Sequence, residues 1–350
     1  MCVSDVQVKT AAVLRFSGYG DALHITPLLR VLKARGYRVV LHTHKYLLDI
    51  FDYNPNIDEV VTYGREIPDT LNLPKDSLIV DTGGTKGFMD RPEDGGPQGC
   101  DLHPAGYHLN CNACESAHQF RMLRYKDVNY SDFYMELAGF EERGQNPELY
   151  FSPEEVEAAE AEAETWEGKF VIFWAMSNTS FHKHYPWWGF VATEFCNRHP
   201  DALMFSLGDA GSAQLEVKGH PQIASRSGMW GMRWTMSLMP YASIVVGGEG
   251  GIVNAASVYQ VPKVVFMSHS NPSNLTKYWD NTTILIPENV PCYPCHQLHD
   301  TLESCPLVRV EVDAPAFKRR WPMCMGAGIH PGRVLDTLEM WYRKDRGGLL

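Results

Sequence analysis

AAVLRFSGYGDALHITPLLRVLK, residues 11–33, decides the fold. Its first six residues, AAVLRF (11–16), are a short apolar run of the kind that forms a strand buried on both faces. Ser17-Gly18-Tyr19-Gly20 is a turn of mostly small residues. From Asp21 to about residue 35, Leu23, Leu28, Leu29 and Leu32 fall near helical spacing, and Gly36 stops the helix. A buried strand, a tight turn and an amphipathic helix open a unit whose next strand should lie parallel to the first.

Working outward, the same rhythm continues. Residues 37–42 (YRVVLH) read as a strand, 45–52 as a helix, 59–62 as a strand, and 77–81 (SLIVD) as a strand ending at Gly83-Gly84. Residues 84–115 break the pattern with Gly, Pro and Asp, and helical signal returns at 116–125. EEVEAAEAEAET (154–165) is an acidic helix, expected as a solvated surface element beside a domain boundary. After Gly168 a second series follows: strands at 170–174, 202–207, 244–247 and 263–267, with helices at 188–198 and 255–259. A last helix, 332–344, should pack back on the body. The expected fold is therefore α/β, with two Rossmann-like units facing a central cleft. The expected boundaries are 1–166 for the first, 167–330 for the second and 331–350 for the terminal helix.

Composition narrows the function classes. A chain of 350 residues suits two domains, and 44% hydrophobic with 21% charged residues is a globular balance. The formal net charge of -11 argues against nucleic acid as the main partner, because polyanion binders need a basic face. No run reaches the length of a membrane span, and MCVSDVQVKT lacks the layout of a secretory signal, so a cytoplasmic location is expected. Nine cysteines in a reducing compartment point to metal or redox chemistry before disulfides.

Four segments, in order along nearly the whole chain, resemble the family 9 glycosyltransferases, which include the ADP-heptose transferases. They are VLRFSGYGDALHITPLLRVLK (13–33) with Gly20, Asp21, Thr26, Pro27 and Leu28; YNPNIDEVV (53–61); SNTSFHKHYPWWGF (177–190); and VVGGEGGIVNAASVYQVPKVVFM (245–267). The resemblance implies the GT-B architecture and transfer of a sugar from a nucleotide-diphosphate donor, ADP-heptose favoured, to an acceptor hydroxyl. It leaves the acceptor, a glycan or a protein, and the oligomeric state open.

The residues themselves fit that chemistry. Asp21 follows the first strand at the mouth of the sheet, where open α/β folds bind ligands. As a short acidic side chain it also suits a helix N-cap. The resemblance implies that Asp21 is the general base, accepting a proton as the acceptor oxygen attacks the anomeric carbon. Gly18 and Gly20 would let backbone approach the substrate closely. Lys183, flanked by His182 and His184, reads by itself as a solvated loop lysine; the resemblance implies that it neutralises the leaving diphosphate. Ser177 and Ser180 are candidate donors to phosphate oxygens. Gly247-Gly248-Glu249-Gly250-Gly251 precedes a helix, so that Gly248, Glu249, Gly250 and Gly251 form a candidate phosphate cradle. Asn254 stands where many family members carry His. There is no Asp-x-Asp motif, so chemistry without a catalytic metal, and by resemblance inverting, is expected.

Cys292-Tyr-Pro-Cys295 followed by Cys305 and Cys324 (finger, 291–325) is a candidate tetrahedral thiolate site for structural Fe or Zn, with His296 and His299 as alternative ligands. The finger resembles the iron-binding finger of bacterial autotransporter heptosyltransferases in order and approximate spacing. A second candidate cluster is Cys100, His103, His108, Cys111, Cys114 and His118. Two rival functions share the fold: a nucleotide-sugar epimerase, and a non-catalytic sugar-nucleotide-binding protein.

Overall fold

The computed structural model describes residues 9–16, 18–64, 77–82, 127–176, 183–212, 217–296, 305, 307–314 and 317–347, of which 309–314 and 317–320 are described by backbone alone. The chain divides into two compact units, Met1–Tyr150 and Phe151–Leu350.

In the first unit, strands β1 (Thr10–Arg15), β2 (Arg38–His44), β3 (Glu59–Tyr63) and β4 (Leu78–Asp81) form a wholly parallel sheet in the order β3-β2-β1-β4. Ala11, Ala12, Val13 and Leu14 are fully buried, as a central strand requires. The chain runs outward from β1 to β3 and then returns to the other flank of β1. That reversal leaves a crevice beyond the carboxyl ends of β1 and β4, the usual ligand position in such sheets.

The helix after β1 spans Tyr19–Ala34, starting two residues ahead of the sequence expectation. Asp21 is therefore not the N-cap; it lies in the first turn, and Gly18 takes the cap position with φ 66. A side chain there would be strained, and a Cβ would come within 2.6 Å of Asp21 Oδ2. Pro27 sits inside this helix and cannot donate to the carbonyl of Leu23. The Thr26 hydroxyl donates to that carbonyl instead at 2.7 Å, and accepts from Glu148 N at 2.8 Å. The Thr26-Pro27 pair is thus a repaired helix irregularity that also pins the chain leaving the unit. A helix with no sequence expectation, Tyr130–Leu137, is capped by Asn129 and packs against the Tyr19–Ala34 helix.

The second unit has a six-stranded parallel sheet: β5 (Phe170–Ala175), β6 (Ala202–Leu207), β7 (Ile223–Ser225), β8 (Ile244–Gly248), β9 (Lys263–Phe266) and β10 (Thr282–Leu285), ordered β10-β9-β8-β5-β6-β7. Here the reversal falls between β5 and β8. Gly247 is dictated by that contact, since a Cβ on it would lie 2.6 Å from the Ala175 Cβ. The helix that follows is Gly251–Ala256, not 255–259; it begins at the last glycine of the run and is only six residues long. An antiparallel hairpin of β11 (Val308–Ala314) and β12 (Phe317–Pro322) lies between Cys305 and Cys324, where the sequence predicts only a cysteine loop.

The division at 150/151 places the acidic helix Pro153–Glu164 in the second unit, ahead of the expected 166/167 boundary. Ser152 and Glu155 form a capping box, and Glu155 pairs with Arg233 Nη2 at 2.7 Å on the helix Met232–Leu238. Ala159 alone of that helix is buried, which agrees with a solvated element. The terminal helix, Pro331–Asp345, buries Val334, Leu335, Leu338 and Trp341 in the second unit's core, with Trp341 Nε1 donating to Thr283 Oγ1 at 3.0 Å. Among the described residues, no helix is long and apolar enough to cross a membrane.

Candidate functional site

Two constellations stand at the two strand-order reversals. In the first unit, Arg15 ends β1 with its side chain 1% exposed, and its Nη2 pairs with Asp21 Oδ2 at 2.7 Å. Its Nη1 donates to the Thr82 carbonyl just past β4 at 2.5 Å and contacts the Tyr134 hydroxyl at 3.2 Å. A guanidinium offers fixed donors in one plane, so these three partners lock its orientation, and through it that of the Asp21 carboxylate. Asp21 itself is 42% exposed. A carboxylate held from behind and open in front is the geometry that a proton acceptor needs.

One turn along the same helix, His24 is fully enclosed. Its Nδ1 lies 3.2 Å from Ser131 Oγ, and its Nε2 has no hydrogen-bond partner among the described residues. Burial lowers the imidazole to about 4, with Asp21 opposing and Arg15 reinforcing the change, so His24 is neutral at pH 7. On the same helix, Tyr19 packs edge to face on Tyr46, with ring centroids 5.6 Å apart. Burial, together with Asp49, raises the Tyr19 hydroxyl to about 12.

In the second unit, Glu249 follows β8 and is 3% exposed. Residues 268–270, just past the neighbouring strand β9, surround its carboxylate with donors. Ser268 Oγ donates at 2.7 Å, and the Ser268, His269 and Ser270 amides donate at 3.3, 3.3 and 3.2 Å. His269 Nδ1 and the Ser270 hydroxyl complete the shell. Burial alone would push this carboxyl up. The His269 charge and hydrogen bond, the Lys183 charge and the Ser270 hydroxyl outweigh it and hold Glu249 well below the usual carboxylate range. Lys183 is itself buried, not the solvated loop lysine that its surroundings in the sequence suggest.

Of the other expected residues, Gly18 caps the first helix as described, and Gly20 lies within that helix. Gly248 ends β8, Gly250 caps the short helix, and Gly251 and Asn254 lie in it. The Asn254 amide nitrogen of the backbone donates to Gly250 O at 2.9 Å, while its buried Oδ1 has no hydrogen-bond partner among the described residues. His184 lines an aromatic cavity with Trp174, Tyr185, Trp188 and Trp321. Ser177, Ser180, His182, His299, the helix expected at 116–125 and the cluster at Cys100, His103, His108, Cys111, Cys114 and His118 lie outside the described residues.

Of the four finger cysteines, Cys292 is exposed, Cys295 and Cys305 are half-buried and Cys324 is buried. Burial, and then the nearness of Cys295, Cys305 and Cys292, raises the Cys324 thiol far above its ordinary value. Four thiols are a donor set whose chemistry suits Zn or Fe. Yet among the described residues no three His, Cys, Asp or Glu side chains are gathered closely enough to hold a metal ion. His296 is buried, and its amide donates to the His269 carbonyl at 2.8 Å.

Arg15, Thr82, Tyr134, Ser268, His269 and Ser270 were not singled out from the sequence. Arg15 did leave a signal: a lone charge closing an otherwise apolar strand is seldom buried without a partner. The others act across strand ends distant in sequence and left none.

No protein-family model and no curated protein matches the chain by sequence. Solved structures do match, and they define the class of fold. The chain is similar to the ADP-heptose lipopolysaccharide heptosyltransferase II of Escherichia coli, at 12% identity over 96% of this chain and 99% of that one, with a TM-score of 0.62. It is similar to a family 9 glycosyltransferase from Veillonella parvula at 15% identity, over 80% and 88% of the two chains, with a TM-score of 0.58. It is similar also to TibC, an iron-containing dodecameric glycosyltransferase of enterotoxigenic E. coli, at 12% identity over 97% and 78%, with a TM-score of 0.59. The shared property is the fold: two Rossmann-like α/β units of the GT-B glycosyltransferases.

Proposed function

We propose that this chain is a glycosyltransferase of the heptosyltransferase type, transferring a sugar from a nucleotide-diphosphate donor, ADP-heptose favoured, to an acceptor hydroxyl. The observation that carries the reading is the half-exposed Asp21 carboxylate, fixed from behind by buried Arg15 at the strand-order reversal of a sheet shared with heptosyltransferases. In this reading Asp21 accepts the acceptor's proton as its oxygen attacks the anomeric carbon. A single carboxylate suffices for direct displacement, so the anomeric configuration inverts. Lys183 and the backbone of Gly248, Gly250 and Gly251 receive the departing diphosphate, so that charge is neutralised without a catalytic metal. Asn254 and, from the segments quoted above, Ser177 and Ser180 complete the donor side.

The experiment is incubation of purified protein with ADP-heptose and, in parallel, with other nucleotide sugars, following release of the nucleoside diphosphate with water or candidate glycans and proteins as acceptors. The expected result is ADP release from ADP-heptose that the Asp21→Asn variant does not catalyse. Equal release by the variant, or none by the wild type from any donor with donor binding intact, refutes the reading.

For the finger we propose a structural Fe or Zn held by Cys292, Cys295, Cys305 and Cys324. A bound cation would reverse the rise of the Cys324 thiol by stabilising the thiolates. Elemental analysis of protein prepared without chelator should find at least about one metal per chain, absent from a variant with all four cysteines changed to Ser. Metal-free wild type would remove the proposal.

A further inference from the structure

Glu249 lies in the candidate donor cradle, but its carboxylate is already engaged. Its two oxygens receive three backbone amides and three side chains from the consecutive residues Ser268, His269 and Ser270. A sugar hydroxyl would have to displace one of these charge-assisted bonds inside a buried shell to reach it. Two of these residues, His269 and Ser270, are also bonded by the base of the cysteine finger. The His296 amide donates to the His269 carbonyl at 2.8 Å, and the Tyr293 hydroxyl donates to the Ser270 carbonyl at 3.1 Å. Tyr293 and His296 bracket the second cysteine of Cys292-Tyr-Pro-Cys295. A continuous series of hydrogen bonds therefore runs from the glycine-rich turn, through Glu249 and residues 268–270, to the finger.

We propose that Glu249 is a positioning residue and not a donor ligand: it holds residues 268–270 as a strut that couples the glycine-rich turn to the base of the finger. Coupling of this kind is reciprocal. A ligand that orders the turn tightens the finger base, and a change at the finger base is felt at the turn. The ligand half of this inference rests on the nucleotide-binding reading above; the strut itself does not.

Hydrogen exchange tests both halves, because the amides of residues 268–270 and 296 are themselves the bonds of the strut. Without ligand, Glu249→Gln should speed exchange about tenfold at residues 268–270 and also at 292–296, the cost of one lost charge-assisted bond spreading along the series. Tyr293→Phe, which removes one hydroxyl and leaves the fold's packing intact, should speed exchange at 268–270 by a smaller factor. With saturating ADP, confirmed by calorimetry, wild type should slow exchange at both segments together, and Glu249→Gln should keep the slowing at the turn while losing it at 292–296. Unchanged exchange at 292–296 in ligand-free Glu249→Gln overturns the strut. So does a finger response to ADP that survives in Glu249→Gln. Failure of ADP to bind wild type sinks the nucleotide reading, and the ligand-free comparison then decides the strut alone.

Discussion

Asp21 and Glu249 are two carboxylates beyond strands that flank a strand-order reversal, Asp21 in the first turn of the helix after β1 and Glu249 directly after β8, and they are held in opposite ways. Asp21 is 42% exposed and has one buried cation behind it; Glu249 is 3% exposed and is surrounded by donors from a single tripeptide. An open carboxylate keeps a lone pair for an incoming proton. A carboxylate whose oxygens are all engaged in a buried shell orders its surroundings instead. Both lie near a strand-order reversal, and the number of donors each receives sets them apart: in the proposed reading the open one does chemistry and the engaged one is scaffolding.

The largest test of that contrast is at Asp21. Asp21→Asn keeps the shape and removes the base, so transfer should fall about 10²–10⁴-fold with ADP affinity unchanged. Near wild-type turnover would make Asp21 as structural as Glu249. Next comes Arg15→Met, which frees Asp21 from its anchor and strands the Thr82 carbonyl. Turnover should fall on the order of 10²-fold from misplacement alone, with Arg15→Lys recovering part of it and donor KM little changed. A loss confined to KM would assign Arg15 to substrate binding and break the comparison.

Lys183→Ala sharpens the second half. ADP affinity should drop by roughly 1.5–3 kcal/mol while adenosine affinity stays within a factor of a few, as calorimetry with the two ligands would measure. Equal losses for both ligands would mean that Lys183 serves Glu249 only.

The smallest effect is a pH dependence at His24. Its folded-state value, about 4, lies below the ordinary 6.5, so the unfolded chain takes up the proton first. Stability is full above about 6.5 and is lost as pH falls toward 4. Between pH 7 and 5 the loss from this group should be about 2 kcal/mol. In His24→Phe the urea midpoint should change less over that interval than in wild type; an identical slope would show that His24 is not the group responsible.

Much of this was legible in the sequence because it is local. The period of AAVLRF and the helix behind it, the start and stop of the helix Trp188–Arg198, and the strand Ala202–Leu207 follow from neighbours a few residues apart. The glycine-rich turn and the finger cysteines were visible for the same reason. Helix starts were less legible: the first helix begins at Tyr19 because Gly18 can adopt a positive φ, which no periodicity reveals. The short strands β7 (IAS) and β10 (TTIL) lack the continuous apolar run that makes the equally short β9 legible.

What the sequence by itself determined is the class: alternating buried strands and amphipathic helices leave few options but parallel α/β units, and the glycine run marks where one of their strands ends. What only the tertiary structure decided is which groups meet there. Arg15 reaches Thr82 and Tyr134 across 67 and 119 residues, and Glu249 reaches Ser268–Ser270 across about twenty. Such pairings are set by strand order, because parallel neighbours bring their carboxyl ends together however far apart they lie in the chain. A carboxylate's role follows from those neighbours.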